Sequence, residues 1–239
     1  MKLFASCDTK YLNLHAPALI ASAAHHSNSI HINVCGAANG DRDFLDHLCS
    51  QFSKIAGDDV GDMTWSMSTP MVYDEKAIDA QRTAYACDRF IIAPIIMEQH
   101  KEDLLIIDTD CLIMDHIEPI RNDQIGLFLR PSLPGVQGWE IAGTRVAAGA
   151  VFVSCDALPF LHSVAARIKK GPMKWFLDQV ALNEAYQAHV TEYRFRYFDE
   201  HFMDWEFLQG TTIWTGKGDR KYENSTYLTK KNEFDRMIR

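Results

Sequence analysis

Apolar and polar positions fall into two rhythms along the chain. Lys2 to Cys7 is a compact apolar run that meets Asp8-Thr9, and from about Leu14 to His26 apolar residues recur at helical spacing through Leu14, Ala18, Leu19 and Ala23. Together they predict the opening of a βα unit. Ile30 to Cys35 alternates as a second strand, Gly36 to Asp43 is rich in turn formers, and a helix follows over roughly Phe44 to Ile55. Met63 to Met67 reads as a third strand.

After a turn around Pro70, the spacing predicts a long helical region from about Glu75 to Met97, interrupted near Pro94 because proline removes a helical hydrogen bond. It leads to Leu104-Leu105-Ile106-Ile107, a continuous apolar run ending in acids. Such a run fits a strand buried on both faces of a parallel sheet. Alternating strands and helices over the first 110 residues therefore imply a doubly wound, Rossmann-like α/β half. Further on, Gln124 to Arg130 and Val146 to Ser154 are strand candidates. Between them lies a loop with Pro131, Pro134, Gly135 and Gly138, suited to the rim of a substrate cleft. Helices are expected over Ala157 to Lys169 and Trp175 to Ala188, then an extended Val190 to Tyr197. The stretch after Gly210 is polar and turn-rich and reads as a tail that closes over the site or trails along the surface.

Composition narrows this picture. A chain of 239 residues with no repeat, low-complexity tract or obvious linker suits a single domain over residues 1–239, with a first half to about residue 115 and a second from 116. Its 47% hydrophobic and 23% charged residues are those of an ordinary globular protein. The net charge of -8 argues against a broad nucleic-acid-binding face, which needs clustered Lys and Arg, but leaves room for one phosphorylated small molecule. Six cysteines lie far apart with no CxxC pair, as expected of reduced core residues and not of a zinc site or disulfide framework. The opening MKLFASCDTKY reads as a strand and not a signal peptide, and no stretch approaches the roughly 20 apolar residues of a transmembrane helix. A cytoplasmic location is the resulting expectation.

The chemistry centres on Asp108-Thr109-Asp110. Open α/β sheets place ligands at the carboxyl ends of their strands, where two carboxylates at i and i+2 can aim at one hard cation that in turn neutralises a diphosphate. Oxygen-only ligation suits Mg²⁺ or Mn²⁺. Taken alone, the tripeptide reads equally well as two strand-end acids that face solvent or cap a turn. Arg89 carries a guanidinium fork suited to phosphate or carboxylate oxygens, or else pairs with Asp88 or another nearby acid. Asp8 is also placed to cap a helix.

Taken in order, these pieces resemble a known family. Thr83-Ala84-Tyr85-Ala86-Cys87-Asp88-Arg89-Phe90, Ala93-Pro94-Ile95-Ile96 and Leu105 to Ile113 follow the pattern of the glycogenin and bacterial lipopolysaccharide galactosyltransferase family, retaining glycosyltransferases of GT-A fold. Ser6-Cys7-Asp8-Thr9-Lys10-Tyr11-Leu12 is similar to its first-strand nucleotide contact. Ala148-Gly149-Ala150-Val151-Phe152-Val153 resembles its Asn-Ala-Gly strand, and Asp178-Gln179-Val180-Ala181-Leu182-Asn183 its Asp-Gln-Asp-x-x-Asn helix. The resemblance spans nearly the whole chain.

It implies a GT-A fold, a mostly parallel sheet flanked by helices, and transfer of a hexose from a nucleotide diphosphate sugar, UDP-sugar favoured, to a saccharide, lipid or protein hydroxyl. It further implies that Ser6, Asp8, Tyr11, Arg89, Asp108, Thr109 and Lys217 serve the nucleotide, with Asp8 and Tyr11 at the base or ribose. Arg89, Gly149, Asp178 and Gln179 would serve the sugar, Gln179 and Asp178 would stand at the reacting carbon, and Asp108 and Asp110 would hold Mn²⁺ or Mg²⁺. Two departures stand out. The family's Asn before Ala-Gly is Ala147 here, and its His-x-x-Gly-x-x-Lys becomes Ile213-Trp214-Thr215-Gly216-Lys217-Gly218-Asp219-Arg220-Lys221. Ile213 cannot bind metal, so water, Asp219 or His201 would complete the shell or the metal would be held more weakly, while Lys217, Arg220 and Lys221 remain able to cradle phosphate.

Other classes fit less well. A haloacid dehalogenase-type hydrolase places its Asp-x-Asp near the start of the chain, not at residue 108. A sugar nucleotidyltransferase needs a glycine-rich loop after its first strand, where Cys7-Asp8-Thr9-Lys10-Tyr11 has no glycine. A non-catalytic sugar- or nucleotide-binding module of the same fold stays open because of Ala147 and Ile213.

Overall fold

A computed structural model describes residues 1–57, 61–71, 79–130, 145–216 and 218–239. The elements run β1 (Lys2–Cys7), α1 (Thr9–Leu14), α2 (Ala16–His25), β2 (Ile30–Cys35), α3 (Asp41–Ala56), β3 (Met63–Ser68), α4 (Ala80–His100), β4 (Leu104–Ile107) and β5 (Cys111–Ile113). They continue with β6 (Ile125–Leu129), β7 (Val146–Val153), a 3-10 turn (Cys155–Ala157), α5 (Leu158–Lys170), α6 (Leu177–His189), β8 (Phe195–Phe198), β9 (Met203–Asp204), β10 (Ile213–Thr215), α7 (Arg220–Glu223) and α8 (Ser225–Ile238). Two compact units result, each discontinuous in sequence. The first comprises Met1–Thr69, Ile107–Pro119 and Asp199–Arg239; the second comprises Pro70–Ile106 and Ile120–Phe198.

The first unit contributes the run β3-β2-β1 to a seven-stranded sheet. β1 pairs in parallel with β2, and β2 with β3, so that Ala5, Ile32 and Trp65 share a row. The parallel crossovers explain why β2 is buried throughout, since helices cover such a sheet. A polar row crosses these strands: Asn33 donates to Ser6 Oγ at 2.9 Å and to Ser68 Oγ at 2.8 Å, and accepts from Ser66 Oγ at 2.8 Å. Hydrogen bonding of this kind is what lets buried amides and hydroxyls persist. α2, apolar on nearly every face, packs against both α3 and α8.

The stretch after Gly210, expected to be a turn-rich tail, is instead structural. β10 pairs antiparallel with β5 and in parallel with β9, forming a small three-stranded sheet. α8 follows, capped by Asn224, whose side chain accepts from the backbone N–H groups of Thr226 and Tyr227. Three-residue strands and a four-residue helix are too short to show a period in sequence, which is why this segment read as irregular.

The second unit contributes β4-β7-β6-β8. β6 runs antiparallel to β7 and parallel to β8. α4, α5 and α6 pack on one another. The expected interruption at Pro94 does not occur, because α4 runs through it. Pro94 lies on a face buried with Phe90, Ala93, Ile96 and Met97, and that burial offsets the missing N–H. The Pro- and Gly-containing loop expected at a cleft rim, residues 131–144, lies outside the described residues, as does the predicted helix start between residues 75 and 78.

Where β6 faces β7 the register slips: Leu127 pairs with Val151 while its neighbour Phe128 pairs with Ala147. Ala148, Gly149 and Ala150 thus bulge out of the ladder. Gly126 is locked beside this bulge. A Cβ there would lie 2.3 Å from Phe198 Cζ and 2.9 Å from Phe152 Cβ. Gly126→Ala is therefore expected to cost about 1–3 kcal/mol of stability, read as a lowered urea midpoint; an unchanged midpoint would show that this strand is not packed as described.

Candidate functional site

In the first unit, Asp108-Thr109-Asp110 forms the tight turn between β4 and β5, closed by the backbone bond from Cys111 N to Asp108 O at 3.1 Å. Four fully buried apolar residues of β4 bring the chain there. Thr109, also buried, donates its hydroxyl to the Ser6 carbonyl at 3.2 Å, which ties the turn to the end of β1. Asp8, just beyond β1, caps α1 by accepting from Tyr11 N at 2.7 Å.

Asp110 is gripped from several sides. Its Oδ2 accepts from Lys221 Nζ at 2.6 Å, with both side chains about nine-tenths buried. Its carbonyl accepts from Tyr227 Oη at 2.7 Å and from Gly216 N at 3.1 Å. Gly216 leaves no room for more: a Cβ would stand 2.9 Å from Asp110 O, 3.0 Å from Lys221 Cβ and 3.1 Å from Tyr227 Oη. Lys221 also donates to Tyr11 Oη at 2.8 Å, and its ammonium lies 4.8 Å from the Tyr11 ring and 5.5 Å from that of Tyr222.

Electrostatics follow from this packing. Burial pulls the Lys221 ammonium down, but the Asp110 charge and the bonds to Asp110 and Tyr11 outweigh it, so Lys221 ends above its ordinary value. Burial pushes the phenols of Tyr11 and Tyr227 up; the Lys221 ammonium partly restrains Tyr11, while the Asp110 charge lifts Tyr227 further. Both phenols stay neutral donors. His15, between α1 and α2, is only 4% exposed, packs against Tyr11 with ring centroids 4.9 Å apart, and has no hydrogen-bond partner among the described residues on either ring nitrogen. Burial, above all, drops its pKa from 6.5 to about 4.

A divalent ion tests these residues as they stand. Asp108 and Asp110 are the expected ligands, yet the Asp110 carboxylate already holds an ammonium. Ile213 is buried in β10 opposite Ile113, and His201 and Asp219 are exposed. Among the described residues no three His, Cys, Asp or Glu side chains gather in a way that could hold a metal. The arrangement fits a fixed cation from the chain itself better than an open two-carboxylate clamp.

The second unit holds the other expected residues. Arg89 on α4 donates to Asp178 Oδ2 at 3.0 Å, a pair whose side chains are each 7% exposed. Asp178 opens α6 and accepts from Gln179 N at 2.9 Å through Oδ1. Gln179 Oε1 accepts from Arg130, which also donates to the Val146 carbonyl at 3.3 Å. Burial raises the Asp178 carboxyl, opposed by Arg89, and lowers Arg130, opposed by the Asp178 charge. Phe176 immediately before α6 has φ of 73°, an uncommon conformation for a bulky residue, and it orients the first turn carrying Asp178 and Gln179. Gly149 sits half-buried in the β7 bulge, with buried Ala147 paired to Phe128.

Ser6, Asp8, Tyr11, Asp108, Thr109 and Asp110 thus lie in the first unit, and Arg89, Gly149, Asp178 and Gln179 in the second. Lys217 lies outside the described residues. Arg130, Tyr227 and His15 were not singled out from sequence. Tyr227 carried one usable signal, the Asn224 cap that starts its helix; Arg130 carried none beyond its place at a strand end.

No protein-family model matches the chain, and no curated protein matches it in sequence. Solved structures do match it in fold. The WbbM bifunctional glycosyltransferase superposes with a TM-score of 0.66 at 13% identity over 100% of this chain and 49% of that one. The glycosyltransferase GlyE of Streptococcus pneumoniae TIGR4 gives 0.60 at 10% identity, covering 99% of this chain and 62% of GlyE. A glycosyltransferase involved in glycosylation of the major capsid of PBCV-1 gives 0.58 at 13% identity, covering 99% and 98%. The chain spans about half the length of WbbM and under two thirds of GlyE. Its fold is therefore that of the glycosyltransferases: mixed α/β, with the seven-stranded sheet flanked by helices.

His15 supplies a test of this site's packing. Its pKa lies below the ordinary value, so the unfolded chain binds the proton more readily between pH 6.5 and about 4. Stability is complete above pH 6.5 and falls as the pH drops through that window. Relative to His15→Phe, the wild type is expected to lose up to about 3 kcal/mol on going from pH 7 to pH 4, measured by denaturant unfolding; parallel profiles would show that His15 is not buried without partners.

Proposed function

We propose that the chain transfers a hexose from a nucleotide diphosphate sugar, a UDP-sugar foremost, to a hydroxyl of a saccharide, lipid or protein, with retention of anomeric configuration. The observation that supports this most is the union, within a glycosyltransferase fold, of the Asp108-Thr109-Asp110 turn at a buried strand end with Tyr11 and the Lys221 ammonium. In this reading Asp8 and Tyr11 meet the base or ribose, and Lys217 and Lys221 meet the diphosphate. Thr109 fixes the turn against Ser6.

On the sugar side, Arg89 holds Asp178 in place by a buried pair, and Arg130 holds Gln179. Gln179, half-buried at the start of α6, is the group offered to the sugar near its reacting carbon, with Gly149 in the bulge allowing close backbone approach. In the reaction the bond from the anomeric carbon to the diphosphate oxygen breaks and its electron pair leaves with the diphosphate. A bond to the acceptor oxygen forms, and the acceptor proton passes to the departing phosphate or to water. Fixed donors around the phosphates stabilise the charge that develops there. The family resemblance would add Mn²⁺ or Mg²⁺ on Asp108 and Asp110 as a Lewis acid, but no step here depends on it.

A second reading, a non-catalytic binding module of the same fold, draws support from the second unit, where Arg89, Asp178, Gln179 and Arg130 are engaged with one another. A panel of nucleotide sugars incubated without acceptor separates the two. Slow release of free sugar from one donor is expected, and Gln179→Ala should slow it by roughly 10²-fold. Binding of a donor without turnover would favour the module, and neither binding nor turnover with any donor would contradict both.

A further inference from the structure

The Lys221 ammonium stands 2.6 Å from Asp110 Oδ2, on one oxygen of the carboxylate that an expected metal would use. It is not a loose surface side chain. Lys221 is 7% exposed and starts from the short helix α7, five residues beyond Gly216; the Gly216 backbone and the Tyr227 hydroxyl both close on the Asp110 carbonyl. Moving the ammonium aside to admit a metal would strip a buried charge of its partner, which is unfavourable. The second departure points the same way. Where the resembling family carries a metal-binding His, Ile213 is buried and paired with Ile113.

An ammonium has three N–H donors and no acceptor. Among the described residues, two of those of Lys221 go to Asp110 and Tyr11, which leaves one for a further oxygen. Tyr11 is also the residue assigned to the nucleoside, so this third donor stands where base recognition and charge neutralisation meet.

We propose that Lys221 is the resident cation of this site: it takes the place of a divalent metal on Asp110 and receives a phosphate oxygen of the donor, so that diphosphate binding requires no metal. This rests on the nucleotide-sugar reading above. A single positive charge attracts a diphosphate less than a divalent ion does and is screened by salt. Binding is therefore weaker than metal-bridged binding and falls as ionic strength rises.

Calorimetric titration of the whole protein with UDP, then GDP, ADP and CDP, in EDTA and again in Mn²⁺, tests this on the wild type without depending on any variant. One diphosphate is expected to bind with affinities that agree within about twofold in the two buffers, while the paramagnetic resonance of Mn²⁺ mixed with the protein alone, without diphosphate, keeps its free-ion amplitude. In EDTA, Lys221→Met should weaken that binding at least about tenfold and Lys221→Arg less, with the fold of each variant checked by its denaturation midpoint. Binding that appears only with Mn²⁺, or Lys221→Met that binds as well as wild type, would overturn the inference and leave the donor reading intact. Absence of binding to every diphosphate in both buffers would overturn both.

Discussion

A carboxylate and an ammonium held 2.6 Å apart and almost out of water set the terms for the first unit. Either charge alone would be costly there; together, with Tyr11 on the ammonium, they are satisfied. The pair joins residues 110 and 221, so it can exist only when the last forty residues return to the first strand and its turn. That return is made by β10 pairing with β5, by α8 packing on α2, and by Tyr227 and Gly216 closing on the Asp110 carbonyl. The C-terminal segment is thus part of the first unit and not an appendage to it.

The second unit solves a similar problem with guanidinium groups. Arg89 and Arg130 flank one carboxylate and one amide, Asp178 and Gln179, at the start of α6. Since each side chain is held by another, their positions are fixed by contacts within the unit. The β7 bulge at Ala148-Gly149-Ala150 adds a stretch of backbone freed from the ladder.

Much of this was legible in sequence for a physical reason. Strands buried on both faces leave compact apolar runs, so β1 and β4 were visible, and with them Asp8 and Asp108 just beyond their carboxyl ends, while β2 showed as an alternating run. Long helices with one apolar face were visible for the same reason, although Pro94 suggested a break that burial overrides. What escaped was decided by contacts distant in sequence. Lys221 was one of three basic candidates in a segment with no periodicity, and nothing local selects it over Arg220, which reaches Glu206 instead. The pairing of Arg89 with Asp178 spans 89 residues, and both read equally well as independent ligands. Arg130 and His15 gave no sign of burial at all.

The fold is shared with glycosyltransferases, and the proposed chemistry of this chain turns on one choice, a fixed ammonium on the second Asp of the turn. A crystal structure of the protein soaked with both UDP and Mn²⁺ addresses that choice most directly. The account predicts a phosphate oxygen within hydrogen-bonding distance of Lys221 Nζ, with the Lys221–Asp110 contact intact and no metal density between them. Manganese bound by Asp108 and Asp110, with Lys221 displaced, would contradict it.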